Sequence, residues 1–138
     1  MRMRMLVAAG VLVSAVVHLK LWFDGFRDIH VIGPAFMLNA VAGLGIAILV
    51  LVWRHWIPLL LAIGFGVSTL GAFVTSATVG LFGVHELWTG GSVLTAAVSE
   101  VVAVLAGVVA LLQEHPLPSR QQLQHRVAVR RGTSNDVA

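Results

Sequence analysis

The chain has 138 residues and a formal net charge of +3; 58% of its residues are hydrophobic and only 11% are charged. A soluble globular domain typically has about 25% charged residues, so this composition excludes an ordinary water-soluble surface. The length allows one domain. The sequence contains no cysteine, which excludes disulfides, thiolate metal sites and thiol nucleophiles.

Four apolar segments predict the fold. A membrane-spanning helix needs roughly 17–25 mostly apolar residues, and segments of about this kind occupy residues 5–23, 33–53, 57–82 and 89–113. They predict an all-α integral membrane protein, an antiparallel four-helix transmembrane bundle built from two hairpins, within residues 1–113. Residues 114–138 are polar and basic, and we expect a flexible tail there.

The first segment also resembles a secretory signal peptide, because Arg2 and Arg4 precede an apolar stretch. The residues that follow Val17 are a poor match to the small-x-small pattern of a cleavage site. A retained helix that ends at Trp22 and Phe23 is the preferred interpretation, since aromatic side chains anchor helices at the membrane interface.

The basic residues predict the orientation. If the N-terminus is cytoplasmic, only Lys20 and Arg27 of the nine Lys and Arg residues lie outside. The positive-inside rule favours this arrangement, and it predicts a multi-pass protein of the cell membrane with both termini cytoplasmic. The inside residues are then Arg2, Arg4, Arg54, Arg120, Arg126, Arg130 and Arg131.

Small residues recur at every fourth position of the segments. Such a row lies along one helix face, and in lipid the close approach of these faces supplies contact energy. Antiparallel pairing of the rows centres the last turn between His85 and Glu86 and places His18 opposite Asn39. We expect the third and fourth helices to be the closest pair. The rows are Gly10, Ser14 and His18; Ala35, Asn39, Gly43 and Ala47; Gly64, Ser68, Ala72, Ser76 and Gly80; and Gly91, Thr95, Ser99, Ala103 and Gly107.

Most polar groups that are able to do chemistry lie near the predicted outer side. Glu100 is deeper, about 15 Å along the fourth helix at ~1.5 Å per residue, and an ionisable group within a membrane is by default a functional candidate. The alternative is structural, with Glu100 hydrogen-bonded to a neighbouring helix and His18 bonded to Asn39. The candidate ligand or proton site consists of His18, Asn39, His85, Glu86 and Glu100.

Known chemical signatures are absent from the sequence. Imidazole suits zinc, copper and iron, but there is no His-Glu-x-x-His motif and no pair of histidines at i, i+3 or i, i+4. His18 has no histidine counterpart in the other segments that would complete a bis-histidine haem site. The sequence therefore identifies neither a metal nor a cofactor. It also has no nucleophile motif, and a basic tail beside a membrane indicates topology and anionic lipid rather than nucleic acid.

Two functional hypotheses follow from these features. The first is a non-enzymatic membrane protein: an accessory or scaffold subunit that contacts another membrane protein or itself, or a binder of a lipid-like ligand. The second is a small proton-coupled carrier, or a metal or quinone redox protein, that uses the outer His and Glu residues. The small-residue rows favour the first, because faces used for packing leave little lumen.

Overall fold

The computed structural model describes residues 1–80 and 90–114, and this part of the chain consists of helices and turns. Each of the four main helices is long and apolar enough to cross a membrane. The predicted all-α class with four such helices is confirmed. The helices are α1 (Arg2–Phe23), α2 (Ile32–Val52), α3 (Trp56–Thr78) and α4 (Gly91–Glu114), and a short 3₁₀ helix, η1 (Phe26–Asp28), lies between α1 and α2.

Helix α3 is shorter and α4 longer at the C-terminal end than the sequence suggested. Gly80 has a φ of +84°, and its N–H donates to the carbonyl of Thr75 at 3.1 Å. This left-handed residue closes the last turn, so α3 ends at Thr78. Helix α4 continues to Glu114, which is therefore a helical residue rather than the first residue of the tail.

Proline and histidine define two helix starts. Pro34 and Pro58 lie in the first turns of α2 and α3, where the missing N–H of proline removes no intrahelical hydrogen bond. The ring of His55 also caps α3, because its Nδ1 accepts a hydrogen bond from the N–H of Ile57 at 3.4 Å. These local causes agree with the starts that the sequence predicted.

The connection between α1 and α2 is tight. The N–H of Ile32 donates to the carbonyl of His30 at 2.8 Å, and Val31 between them has a φ of +72° and a ψ of −50°. This is a γ-turn of the rare, strained form. A Cβ atom at Gly33 would lie 2.2 Å from the carbonyl oxygen of Arg27, so only glycine lets η1 rest against the start of α2.

Helix α1 is the most extensively packed element. It packs antiparallel to both α2 and α4, while α3 packs mainly on α4 and touches α2 only sparingly. The predicted pairing of α3 with α4 as the closest pair is therefore wrong. A description as two hairpins also omits the α1–α4 contact. The hydrophobic core lies between the four helices and includes Val7, Val11, Val50, Leu59, Ala62, Ala103 and Ala110.

The predicted rows lie at the helix interfaces only in part: Ser99, Ala103 and Gly107 of α4 are buried, whereas Gly64, Ser68 and Ala72 of α3 are exposed. A Cβ atom at Gly10 would come within 2.8 Å of the Ser99 carbonyl oxygen, so α1 and α4 are in backbone contact there. On α3 the closest approach is made by Gly66, where a Cβ would lie 2.6 Å from Val104. The predicted Gly64 faces open space, because the helix is rotated so that the face containing Gly66 meets α4.

The outer surface of the helices is apolar. Large hydrophobic residues along all four helices are more than a third exposed, and Leu38 and Val52 are exposed to 69% and 70%. A soluble monomer rarely exposes contiguous apolar patches of more than a few hundred Å². Other exposed large hydrophobic residues are Val16 on α1, Val41 on α2, Val67 on α3, and Val98 and Leu105 on α4.

Candidate functional site

A cavity of about 240 Å³ lies between the helices at the end of the bundle that contains His18, η1, Asn39 and Glu100, which we call the His18 end. Its wall is mostly apolar and includes aromatic side chains. Phe26 of η1 and Phe36 of α2 pack with ring centroids 5.3 Å apart. The lining comprises His18, Leu21, Phe26, Val31, Ile32, Ala35, Phe36, Asn39, Ser68, Thr69, Ala72, Phe73, Ser76, Val93, Ala96, Ala97 and Glu100.

The cavity opens between α2 and α3. Among its lining residues, Val31 before α2, Ala35 of α2, and Ser68 and Ala72 of α3 are exposed, whereas Glu100 on α4 is only 2% exposed. We call Ala35, Ser68 and Ala72 the mouth. The mouth lies where α2 and α3 make their limited contact, so the cavity communicates with the apolar outer surface of the bundle.

Ser14 connects two of the candidate site residues. Its hydroxyl donates a hydrogen bond to Oε1 of Glu100 at 2.8 Å, across the α1–α4 interface. One turn further along α1, Nδ1 of His18 lies 2.8 Å from the carbonyl oxygen of Ser14 and 3.4 Å from its hydroxyl. Ser14 is fully buried, so this polar series is part of the interior of the bundle.

The hydrogen bond of His18 fixes which ring nitrogen is left for the cavity. A carbonyl oxygen can only accept, so Nδ1 carries the hydrogen. In the neutral ring, Nε2 is then an acceptor, and it has no partner within residues 1–80 and 90–114. The edge of the ring also contacts Phe36, with centroids 5.2 Å apart and an interplanar angle of 87°. His18 is therefore held in place with one nitrogen unused.

Asn39 lines the same cavity, and its side-chain amide makes no hydrogen bond to any residue that the structure describes. The predicted hydrogen bond between His18 and Asn39 is not formed. The reason is local: Nδ1 of His18 bonds to its own helix, and Phe36 of α2 packs against the ring. Asn39 thus presents an unpaired donor group and an unpaired acceptor to the cavity.

The structure brings His18, Asn39 and Glu100 together around one cavity. His85 and Glu86 lie outside the described residues. Sequence reasoning missed the bridging role of Ser14, although a serine one helical turn before a histidine and on its own face was visible. It also missed the aromatic wall formed by Phe26 and Phe36, for which the sequence offers no periodic signal.

A second polar cluster lies at the opposite end of the bundle, which we call the Arg4 end. Nε of Arg4 donates to both carboxylate oxygens of Glu114 at 2.9 Å, and Nη2 donates to Oε2 at 2.7 Å. Nη1 donates to the carbonyls of Val50 at 3.1 Å and Trp53 at 2.9 Å. Nη2 also donates to the carbonyl of His55 at 2.8 Å. This arginine therefore joins α1, the end of α2, the following turn and α4.

In the sequence, Arg4 indicates only the orientation of the chain, and no motif there predicts this cluster. Its partner Glu114 is 110 positions away in the chain, so no local pattern reveals the pair. Cations are favourable at helix C-termini because the last carbonyls have no intrahelical donor. At the end of α2 the guanidinium supplies these donors, which makes Arg4 a structural residue.

No group of three His, Asp or Glu side chains comes together as a metal site within residues 1–80 and 90–114. Comparison of the chain with protein-family models, with curated proteins and with solved structures found no match. The chemistry that this site offers is therefore deduced from its own geometry. It combines an apolar, partly aromatic wall with two unpaired hydrogen-bonding groups and one buried carboxyl group.

Proposed function

We propose that this chain is an integral membrane protein that binds a lipid-like molecule in the cavity at the His18 end. The observation that carries the proposal is the cavity itself, which opens between α2 and α3 onto an apolar surface. A binding site for an apolar molecule needs a concave, mostly hydrophobic lining with a few convergent polar groups. This lining has both features.

The volume indicates how much of the ligand is enclosed. A cavity of about 150 Å³ holds a benzene-sized molecule, whereas sites for drug-sized ligands span about 300–1,000 Å³. At about 240 Å³, this cavity accommodates a single ring or the end of a longer molecule. The remaining chain of a lipid-like ligand would leave through the mouth into the hydrocarbon region.

The membrane placement rests on four helices of spanning length and on their apolar exterior. We propose that the Arg4 end faces the cytoplasm and that both termini are cytoplasmic, since the positive-inside rule favours seven of the nine basic residues on that side. Lys20 and Arg27 then lie outside. The tail contributes four of the seven inside charges, at positions 120, 126, 130 and 131.

Labelling of single cysteines in intact cells tests the orientation. An impermeant maleimide should label Asp28→Cys before lysis, and His55→Cys and Ser134→Cys only after lysis. Because the chain contains no cysteine, the unmodified protein serves as the blank. Labelling of His55→Cys before lysis, together with labelling of Asp28→Cys only after lysis, would show that the orientation is the opposite of the one proposed.

Retention of lipid through purification tests the binding function. Ala72→Phe places an aromatic ring at the mouth, whereas Val74→Phe adds similar bulk on the same helix at an exposed position outside the cavity. We expect wild type and Val74→Phe to copurify with the same lipid, detected by mass spectrometry of an organic extract. Ala72→Phe should lose most of it. Equal retention by both variants would contradict the proposal.

The hydrogen-bonded series from His18 through Ser14 to Glu100 favours a second candidate, a proton-coupled carrier or redox protein. Glu100→Gln separates the two, because it keeps the shape and hydrogen-bonding capacity but removes the ionisable group. A binder should retain its lipid in this variant. A carrier should fold normally but lose its response to pH.

A further inference from the structure

The polar and aromatic groups that line the cavity indicate the chemistry of the ligand's head group, provided that the proposed lipid-binding function holds. We infer that the ligand has an uncharged aromatic ring with hydroxyl groups, the chemistry of a quinol. One hydroxyl donates to Nε2 of His18, and a ring oxygen accepts from the side-chain amide of Asn39. The ring itself packs against the phenylalanine wall.

The unpaired groups define the hydrogen-bonding pattern. With its hydrogen on Nδ1, the neutral ring of His18 offers only an acceptor at Nε2. Asn39 offers an NH₂ donor and a carbonyl acceptor, and neither has a partner in the part of the chain that the structure describes. A hydroxyl group is a donor and an acceptor at once, so it matches both residues. A carbonyl oxygen, as in a quinone, matches only Asn39.

Charge argues against the other common lipid head groups. None of the described residues that line the cavity is a lysine or an arginine, so a phosphate or carboxylate would be buried without a cation from this part of the chain, which is very costly. Glu100 does line the cavity, but the residue is only 2% exposed and its Oε1 already accepts from Ser14. Among residues 1–80 and 90–114, a quaternary ammonium group would therefore find no exposed carboxylate at the cavity. An uncharged head group avoids both penalties.

The aromatic wall favours a ring over a simple alcohol. Phe26 and Phe36 pack together at 5.3 Å, and Phe73 lines the cavity from α3. Aromatic rings gain from offset or edge-to-face contacts at centroid distances of about 4.5–7 Å. A volume of about 240 Å³ accepts one substituted ring, which leaves the tail of the lipid to pass through the mouth.

Four short-chain probes test the head group on the full-length protein in nanodiscs under anaerobic conditions. The probes are 2-decylhydroquinone, 2-decylbenzoquinone, 2-decyl-1,4-dimethoxybenzene and 1-undecanol. We expect hydroquinone to bind most tightly, the quinone less tightly and the dimethoxy compound roughly tenfold more weakly than hydroquinone, since one to two hydrogen bonds are lost. Undecanol should be weaker than hydroquinone because it lacks the ring.

Variants assign the two contacts. Asn39→Leu should weaken the binding of hydroquinone and quinone, and it should affect the dimethoxy compound least, because a methoxy oxygen is a weaker and more hindered acceptor. His18→Phe should weaken the binding of hydroquinone alone among the probes. His18→Gln should keep part of the affinity for hydroquinone, because the amide oxygen of glutamine can accept a hydrogen bond from the hydroxyl group. The comparison between probes on wild type does not depend on the folding of any variant.

The outcomes separate this inference from the proposed function. Equal affinities of wild type for hydroquinone and the dimethoxy compound would overturn the head-group assignment and leave lipid binding intact. Undecanol binding as tightly as hydroquinone would overturn the aromatic part of it. If no probe binds and the purified protein retains no lipid, the proposed function fails together with the inference.

Discussion

The two ends of the bundle both hold polar side chains between the helices, but these side chains differ in how fully they are hydrogen-bonded. At the Arg4 end, the guanidinium of Arg4 bonds to Glu114 and to three backbone carbonyls. At the His18 end, Nε2 of His18 and the amide of Asn39 line a cavity with no partner in the described part of the chain. The first arrangement is complete without a ligand, and the second is not.

This difference separates a structural cluster from a candidate binding site. His18 and Asn39 are half-buried, and no fully buried side-chain nitrogen or oxygen in the described part of the chain lacks a partner. The unpaired atoms of these two residues are therefore accessible to a molecule in the cavity, where a few convergent polar groups can orient a ligand. Arg4 needs none, because its five N–H donors match the acceptors around it. Buried charge by itself therefore does not mark a candidate binding site in this protein, whereas unused hydrogen-bonding capacity beside a cavity does.

The largest effect that we expect comes from breaking the complete end. Arg4→Met should lower the free energy of unfolding by about 3 kcal/mol, because it leaves the Glu114 carboxylate and the last carbonyls of α2 without donors. Arg4→Lys should recover part of this loss, since one ammonium group cannot reach all the acceptors. Denaturant unfolding in mixed micelles measures both.

The matched control is Arg2→Met. Arg2 lies in the same helical turn but is exposed and makes no side-chain hydrogen bond to the described residues, so its replacement should change stability by less than about 0.5 kcal/mol. If Arg2→Met and Arg4→Met were equally destabilising, the contrast between the two ends would have no energetic basis.

A smaller effect is expected from the α1–α4 contact that both ends share. Gly10 lies between Arg4 and His18 on α1, and a Cβ there would lie 2.8 Å from the backbone oxygen of Ser99. Gly10→Ala should therefore cost about 1–3 kcal/mol. A Cβ atom at Gly45 would meet open space, so Gly45→Ala should stabilise its helix by up to about 1 kcal/mol. A stabilising Gly10→Ala would show that the two helices are not in backbone contact.

Much of this fold could be predicted from the sequence, because length and apolar content decide whether a helix can span a membrane. Rotation of the helices could not be predicted. Gly64 and Gly66 are both small and lie on nearly opposite faces of α3, and only packing against Val104 selects Gly66. A row of small residues marks a face that can pack closely, but it does not show which helix will meet it.

The candidate site was predictable only in part, and for a similar reason. The sequence predicted a site in the outer half of the bundle with Glu100 below His18 and Asn39, and the structure places the three residues around one cavity. Their hydrogen-bond partners depend on side-chain direction, which spacing does not give. Ser14 reaches Glu100 because α1 lies against α4, a contact that pairing of neighbouring segments cannot reveal.

The smallest predicted effect concerns backbone strain, which also differs between the ends. Each end has a turn closed by an N–H to carbonyl bond of 2.8 Å between residues two apart, from His55 to Trp53 and from Ile32 to His30. Only the second turn has a non-glycine residue of positive φ, Val31 at +72°, and that residue lines the cavity. Strained backbone costs about 1–3 kcal/mol and is often found at binding sites.

Val31→Gly should relieve this strain. The greater freedom of glycine in the unfolded chain lowers the free energy of unfolding by about 0.5–1 kcal/mol. Because the relieved strain is larger than this loss, we expect the free energy of unfolding to rise by about 1 kcal/mol. Val41→Gly is the control, because Val41 lies in the middle of α2, is 64% exposed, and its replacement should cost about 0.5 kcal/mol of helix propensity. Equilibrium unfolding of both variants measures the two changes in the free energy of unfolding. If Val31→Gly were as destabilising as Val41→Gly, the turn beside the cavity would store no strain, and the two ends would differ only in their hydrogen bonds.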